Sequence, residues 1–246
     1  MKRFIVPLIA VSLFALGRAE AALPQFLQDC AKLDQDYIPA LMLSNTKSPA
    51  KAVAAQEKYQ VAWDAFATKN RNSKPGNAAW AQMFSTIDKA NAQATAALAA
   101  GKLSEAHTVQ EEVRHALWHE RQALGLDYHP DRLTAFHATM EQLIDAVAGK
   151  APADINPALV ASMKTLFGTA RTQWQAVKAS PWVPADYGLD AARLDAYKAA
   201  VAAEDKALDE LGAALDAGDG ARIDKAAPAI KGPFSRAYRA FGVFPD

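Results

Sequence analysis

The stretch Ile87-Asp88-Lys89-Ala90-Asn91-Ala92-Gln93-Ala94-Thr95-Ala96-Ala97-Leu98-Ala99-Ala100-Gly101 reads as a helix followed by its stop signal. Alanine dominates it, no apolar–polar alternation runs through it, and a glycine closes it. The same signals recur downstream. Sliding Ile87–Gly125 forward by 117 residues lays it without a gap on Glu204–Gly242. Asp88-Lys89-Ala90 then falls on Asp205-Lys206-Ala207, Ala96-Ala97-Leu98 on Ala213-Ala214-Leu215, and Ala100-Gly101 on Ala217-Gly218. Ala123 meets Ala240 and Gly125 meets Gly242. Upstream, Trp63 corresponds to Trp174 and Tyr37-Ile38 to Leu143-Ile144, at shifted offsets, so the internal repeat extends beyond the gapless segment.

Outward from that segment the chain reads as helices separated by Pro, Gly and Asn. The predicted spans are 24–43, 48–70, 77–100, 102–124, 130–149, 157–179, 188–217 and 219–241. Ser48-Pro49, Lys74-Pro75-Gly76, His129-Pro130, Asn156-Pro157 and Ser180-Pro181 supply the breaks. The expected fold class is all-α, as two tandem four-helix bundles made by internal duplication, one over 22–127 and one over 128–246. The short link between them favours packing of one bundle on the other.

Composition narrows the function. The 246 residues are 51% hydrophobic and 22% charged, enough apolar material for a substantial core. Basic and acidic residues number 27 each, so no global positive field exists to hold nucleic acid. Cys30 is the lone cysteine, which excludes a disulfide framework, a thiolate zinc cluster and a CxxCH haem attachment. Lys2-Arg3, the apolar run Phe4–Leu16 and Ala19-Glu20-Ala21 have the form of an export signal over 1–21. Cleavage near Ala21-Ala22 would deliver a mildly acidic periplasmic protein, and no later segment is apolar enough to span a membrane.

The histidines are the chemical signal. His107, His115, His119, His129 and His137 all lie within one stretch of 31 residues, and the second repeat has no counterpart. On the fourth helix the spacing His107-x3-Glu111-x3-His115-x3-His119 makes consecutive members neighbours, and an i,i+4 imidazole pair chelates a single ion. The hairpin turn Gly125–Pro130 brings similar offsets level, so His119 approaches His137 and His115 approaches Met140-Glu141. The candidate metal ligands are therefore His115, His119, His137, Met140, Glu111 and Glu141. Imidazole with thioether suits copper; imidazole with carboxylate suits zinc, iron or oxidised copper. The competing reading is a solvated helix laced by Glu111, Glu112, Arg114, Glu120 and Arg121.

The segment Ala226-Ala227-Pro228-Ala229-Ile230-Lys231-Gly232-Pro233-Phe234-Ser235-Arg236-Ala237-Tyr238-Arg239, closing a secreted helical unit, resembles the last helix of the cytochrome c-prime family and the soluble b-type bundle cytochromes. In that register Lys231 and Phe234 stand where the attachment cysteines would be, and Ser235 where the haem-ligating histidine would be. Arg114, Leu117 and Trp118 occupy those places in the first copy. The resemblance implies a cytochrome-like fold without covalent haem c. Non-covalent haem b, held in such bundles between a Met on the first helix and a His on the last, would use Met42 with His115 or His119.

No catalytic motif accompanies these features: Glu112-Val113-Arg114-His115 is a single ExxH, where di-iron chemistry needs two. The expected function is metal or haem binding, for metal handling or electron transfer with a periplasmic partner protein. The alternative is a non-catalytic adaptor without metal. If imidazoles are the ligands, binding weakens as pH falls through about 6.5. Unchanged affinity between pH 7.5 and 5 in a binding titration would point to carboxylate or thioether ligands instead.

Overall fold

The computed structural model describes residues 23–74 and 76–245. The export signal expected over 1–21 lies outside the described residues. Among them the chain is helical throughout: α1 Gln25–Ser44, α2 Pro49–Asn70, α3 Ala78–Ala99, α4 Leu103–Ala123, α5 His129–Asp145, α6 Pro157–Ala179, α7 Ala191–Ala217, α8 Gly220–Ala229 and α9 Lys231–Arg239. Two single 3-10 turns, Pro152–Asp154 and Pro184–Tyr187, punctuate the second half. No described helix is long and apolar enough to cross a membrane.

The local chemistry sets these boundaries. Asn77, Asn156, Asp190 and Asp219 accept hydrogen bonds from the first free amides of α3, α6, α7 and α8. Pro49, Pro130 and Pro157 occupy first-turn positions, where a missing N–H costs nothing. The expected eighth helix over 219–241 is instead two helices meeting at Ile230. Pro233 supplies no N–H to the Ala229 carbonyl, and its ring crowds that turn. Two paired glycines keep the helix-ending place for different reasons. Gly125 has a left-handed φ of 66°, whereas a Cβ on Gly242 would stand 2.9 Å from Pro39 of α1.

Packing follows sequence order. α1 lies against α2 and α4, and α3 against both of those. In the second half α5 lies against α6 and α9, and α7 against α6, α8 and α9. The two halves repeat a contact: Trp63 donates from Nε1 to Asp88 Oδ1 at 2.9 Å, and Trp174 from Nε1 to Asp205 Oδ1 at 3.1 Å. Buried residues of both halves form one continuous apolar cluster rather than two.

The seam between the halves is polar and buried. Arg121 at the end of α4 grips Asp131 at the start of α5 through two bonds, Nε to Oδ2 at 2.9 Å and Nη2 to Oδ1 at 2.5 Å. Its guanidinium sits 4.5 Å above the Tyr128 ring, and Tyr128 donates to Asp34 of α1 at 2.7 Å. Beside this seam His129 stacks on Trp182 with ring centres 4.2 Å apart. Burial pushes its pKa down to about 3, so it is a neutral core residue.

Two stability measurements check this account. Arg121→Met strands the Asp131 carboxylate, and denaturant unfolding should show a loss of about 3–5 kcal/mol. Glu204, buried between α7 and α9, accepts from the Phe234 amide at 3.1 Å, and burial raises its carboxyl to about 8. Its folded pKa exceeds its unfolded one, so its contribution is full below about pH 4.5 and declines until pH 8. Glu204→Gln should flatten that decline and be the more stable form at pH 8.

Candidate functional site: a cleft lined by histidine and arginine

A cleft of about 750 Å³ opens where α1, α4, α5 and α9 meet. Each helix presents one face to it. Leu41 and Met42 come from the last turn of α1; His107, Glu111, Arg114 and His115 recur along α4; His137, Ala138 and Glu141 come from α5. Lys231, Phe234, Ser235, Tyr238 and Arg239 line it from α9. The steps of three and four on α4, α5 and α9 are the helical repeat itself, so each set shares a face.

Hydrogen bonds fix the imidazoles. Arg114 contacts His137 Nδ1 through Nη2 at 2.8 Å. A guanidinium only donates, so Nδ1 accepts and the ring proton sits on Nε2, facing Glu141 Oε1 at 3.2 Å. His107 has the opposite tautomer. Its Nδ1 lies 2.9 Å from the Leu41 carbonyl, which only accepts, leaving the Nε2 lone pair toward Glu111 Oε1 at 3.6 Å. Among the described residues His115 has no hydrogen-bond partner, and its ring centre lies 6.3 Å from those of Trp118 and His119.

Arg114, Lys231 and Arg239 face Glu111 and Glu141 across the cleft. Burial works against the Arg114 charge, yet Glu111, one turn away and in direct contact, holds it protonated. The bond from His137, together with Lys231 at 2.8 Å, holds the Glu141 carboxyl at about 2. Burial lowers the pKa of His137 and His115, and the Arg114 charge adds to it. Both rings are therefore neutral at pH 7. The buried Nε–H of Arg114 finds no acceptor.

The structure separates the six residues singled out from the sequence. Glu111, His115, His137 and Glu141 do converge on this cleft. His119 is exposed and stacks on Trp118 at 4.9 Å, away from the cleft lining. Met140 is fully buried in the apolar core, so the thioether facing the cleft is that of Met42. The hairpin offset placed residues at the right height and did not fix the facing side. Sequence reasoning missed the structural weight of Arg114, Lys231, Tyr238 and Arg239. The signal was available in the spacing Lys231-x2-Phe234-x3-Tyr238, which repeats at helical intervals beside the basic residues.

A bare ion and a haem group place different demands on these residues. Among the described residues no three His, Cys, Asp or Glu side chains assemble into a metal-holding group. Both His137 nitrogens are engaged, which leaves His107 Nε2 and His115 as free imidazole donors. A haem asks for fewer ligands. One or two axial donors, an apolar wall and a cation for its carboxylates suffice; Met42, His107 and His115 with Leu41 and Phe234 offer the first two, and Arg239 is the lining cation not already paired, since Arg114 and Lys231 face Glu111 and Glu141. The residues present fit haem better than an isolated ion.

Comparison with protein-family models, with curated proteins and with solved structures finds no match to this chain. Ring ¹⁵N shifts test the geometry directly. His137 should carry its proton on Nε2 and His107 on Nδ1, and His137 should stay neutral as pH falls through 6.5. The same tautomer on both rings would contradict the assigned bonds.

Proposed function

We propose that this protein is a non-catalytic periplasmic binding protein whose cleft holds non-covalent haem b, for electron transfer or haem handling with a periplasmic redox partner. One observation carries the reading: Met42 of α1 and His107 and His115 of α4 line a single cleft of about 750 Å³ together with Arg114, Lys231 and Arg239. That pairing is what the resemblance to b-type bundle cytochromes implies. Bound haem supplies a one-electron couple. The chain's own residues provide Met42 and His115 or His107 as axial donors, and Arg239 as a partner for carboxylates, Arg114 and Lys231 being already paired with Glu111 and Glu141. Leu41, Phe234 and Tyr238 supply the apolar wall that excludes water from the ring face.

The same reading treats the architecture as two tandem four-helix units from an internal duplication, α1–α4 and α5–α9. The paired Trp63–Asp88 and Trp174–Asp205 bonds support it. In this view only the first unit supplies axial donors, and the second closes the cleft with α9.

A second reading keeps a copper, iron or zinc ion, and a specific observation favours it. The unprotonated Nε2 of His107 faces the Glu111 carboxylate at 3.6 Å, next to His115, an arrangement suited to a cation between them.

Titration of the purified protein with ferric haem decides between these. A Soret band should appear at one haem per chain. His107→Ala/His115→Ala should weaken binding at least tenfold, and His119→Ala should leave it unchanged. Near-stoichiometric copper, iron or zinc without a Soret band would favour the ion. Uptake of neither would favour an adaptor docking through an apolar surface, for which the groove of about 370 Å³ between α2 and α3, with Val61 72% exposed, is the starting point.

A further inference from the structure

Arg239 lines a second cavity as well as the cleft. This cavity, about 510 Å³, lies between the start of α7 and the end of α9 and is faced by Arg193, Arg236, Arg239 and Asp190. Arg71, Arg114, Arg121, Arg132, Arg171 and Arg193 all pair with carboxylates. Arg236 and Arg239 have no carboxylate within ion-pair distance among the described residues. They stand three apart on α9, hence side by side on one face.

Two of the three guanidiniums are held in place. Arg239 lies 3.3 Å over the Phe244 ring, which occupies its face and leaves its in-plane N–H groups open. Arg193 donates to the Gly188 carbonyl and, at 3.4 Å, to the Gly242 carbonyl. Three cations against the lone carboxylate of Asp190 leave the cavity with a local excess of two positive charges. Partial burial already disfavours the Arg239 charge, and an anion would relieve it.

We propose that this cavity is an oxyanion site for a dianionic tetrahedral group, a phosphate or phosphate ester, gripped by Arg236 and Arg239 with Arg193 as a fixed third charge. The argument is charge and shape. Two neighbouring forks offer four or more in-plane donors, which the oxygens of one tetrahedral dianion accept together. A dianion also cancels the local excess. Arg239 lines both cavities, so Arg236→Gln, which alters this cavity and not the main cleft, separates failure of this site from failure of the haem reading.

Inorganic phosphate is the probe, with binding followed by ³¹P line broadening and by calorimetry on the full chain at low ionic strength. Saturable one-to-one binding is expected, with sulfate competing and acetate competing at least tenfold more weakly. Arg236→Gln and Arg239→Gln should each weaken binding, and the double variant at least tenfold. Both side chains are exposed, so circular dichroism should show the fold retained. Arg222→Gln, an exposed arginine outside the cavity, should bind as the parent does. No saturable binding, equal competition by acetate, or a double variant that binds phosphate unchanged would overturn the proposal.

Discussion

The buried ion pair between Arg121 and Asp131 is the constraint on which the rest of the molecule depends. Both side chains are almost fully enclosed, so their charges persist only because each satisfies the other through two bonds. The pair fixes the turn from α4 into α5, and Tyr128 in that turn ties it to Asp34 of α1. Three helices from two halves of the chain are thereby held in one relative setting. The cleft opens between these helices and α9, and its histidines keep their spacing because the seam does not slide.

The second half contributes by closing the other side. Pro233 interrupts the hydrogen bonding between α8 and α9, while Glu204 takes the Phe234 amide at the start of α9. The segment after α9 then returns to α1, where the Val243 amide donates to the Gln35 carbonyl at 2.8 Å and Gly242 packs without a side chain against Pro39. A buried carboxyl with a raised pKa thus sits directly behind the cleft wall formed by Phe234 and Tyr238. Stability and site geometry share this one element.

Much of the fold was legible in the sequence because its punctuation is chemical. Asn77, Asn156, Asp190 and Asp219 announce helix starts, and Gly101, Gly125 and Gly218 announce ends with positive φ. The register that pairs Asp88 with Asp205 marks two tryptophan hydrogen bonds. The break at Ile230 was carried by Pro233 and was overrun by the apolar pattern around it. The site was legible only in height. Counting residues from a hairpin turn places His119 level with His137 and His115 level with Met140-Glu141, but rotation of α5 about its axis depends on packing with α6 and α9. That rotation sends Met140 into the core and leaves the thioether position to Met42, which lies far away in sequence. Arg114 was hidden for a related reason. Its pairing with Glu111 looks like a surface i,i+3 bridge in sequence, yet the side chain is buried and reaches His137.

The central claim is that ligand is held where α1, α4, α5 and α9 meet. Hydrogen–deuterium exchange of the full chain with and without ferric haem tests it most directly. Slowed exchange confined to the last turn of α1, the middle of α4, α5 around His137 and all of α9 is the predicted result. Protection centred on the α2–α3 groove, or no change anywhere, would contradict it.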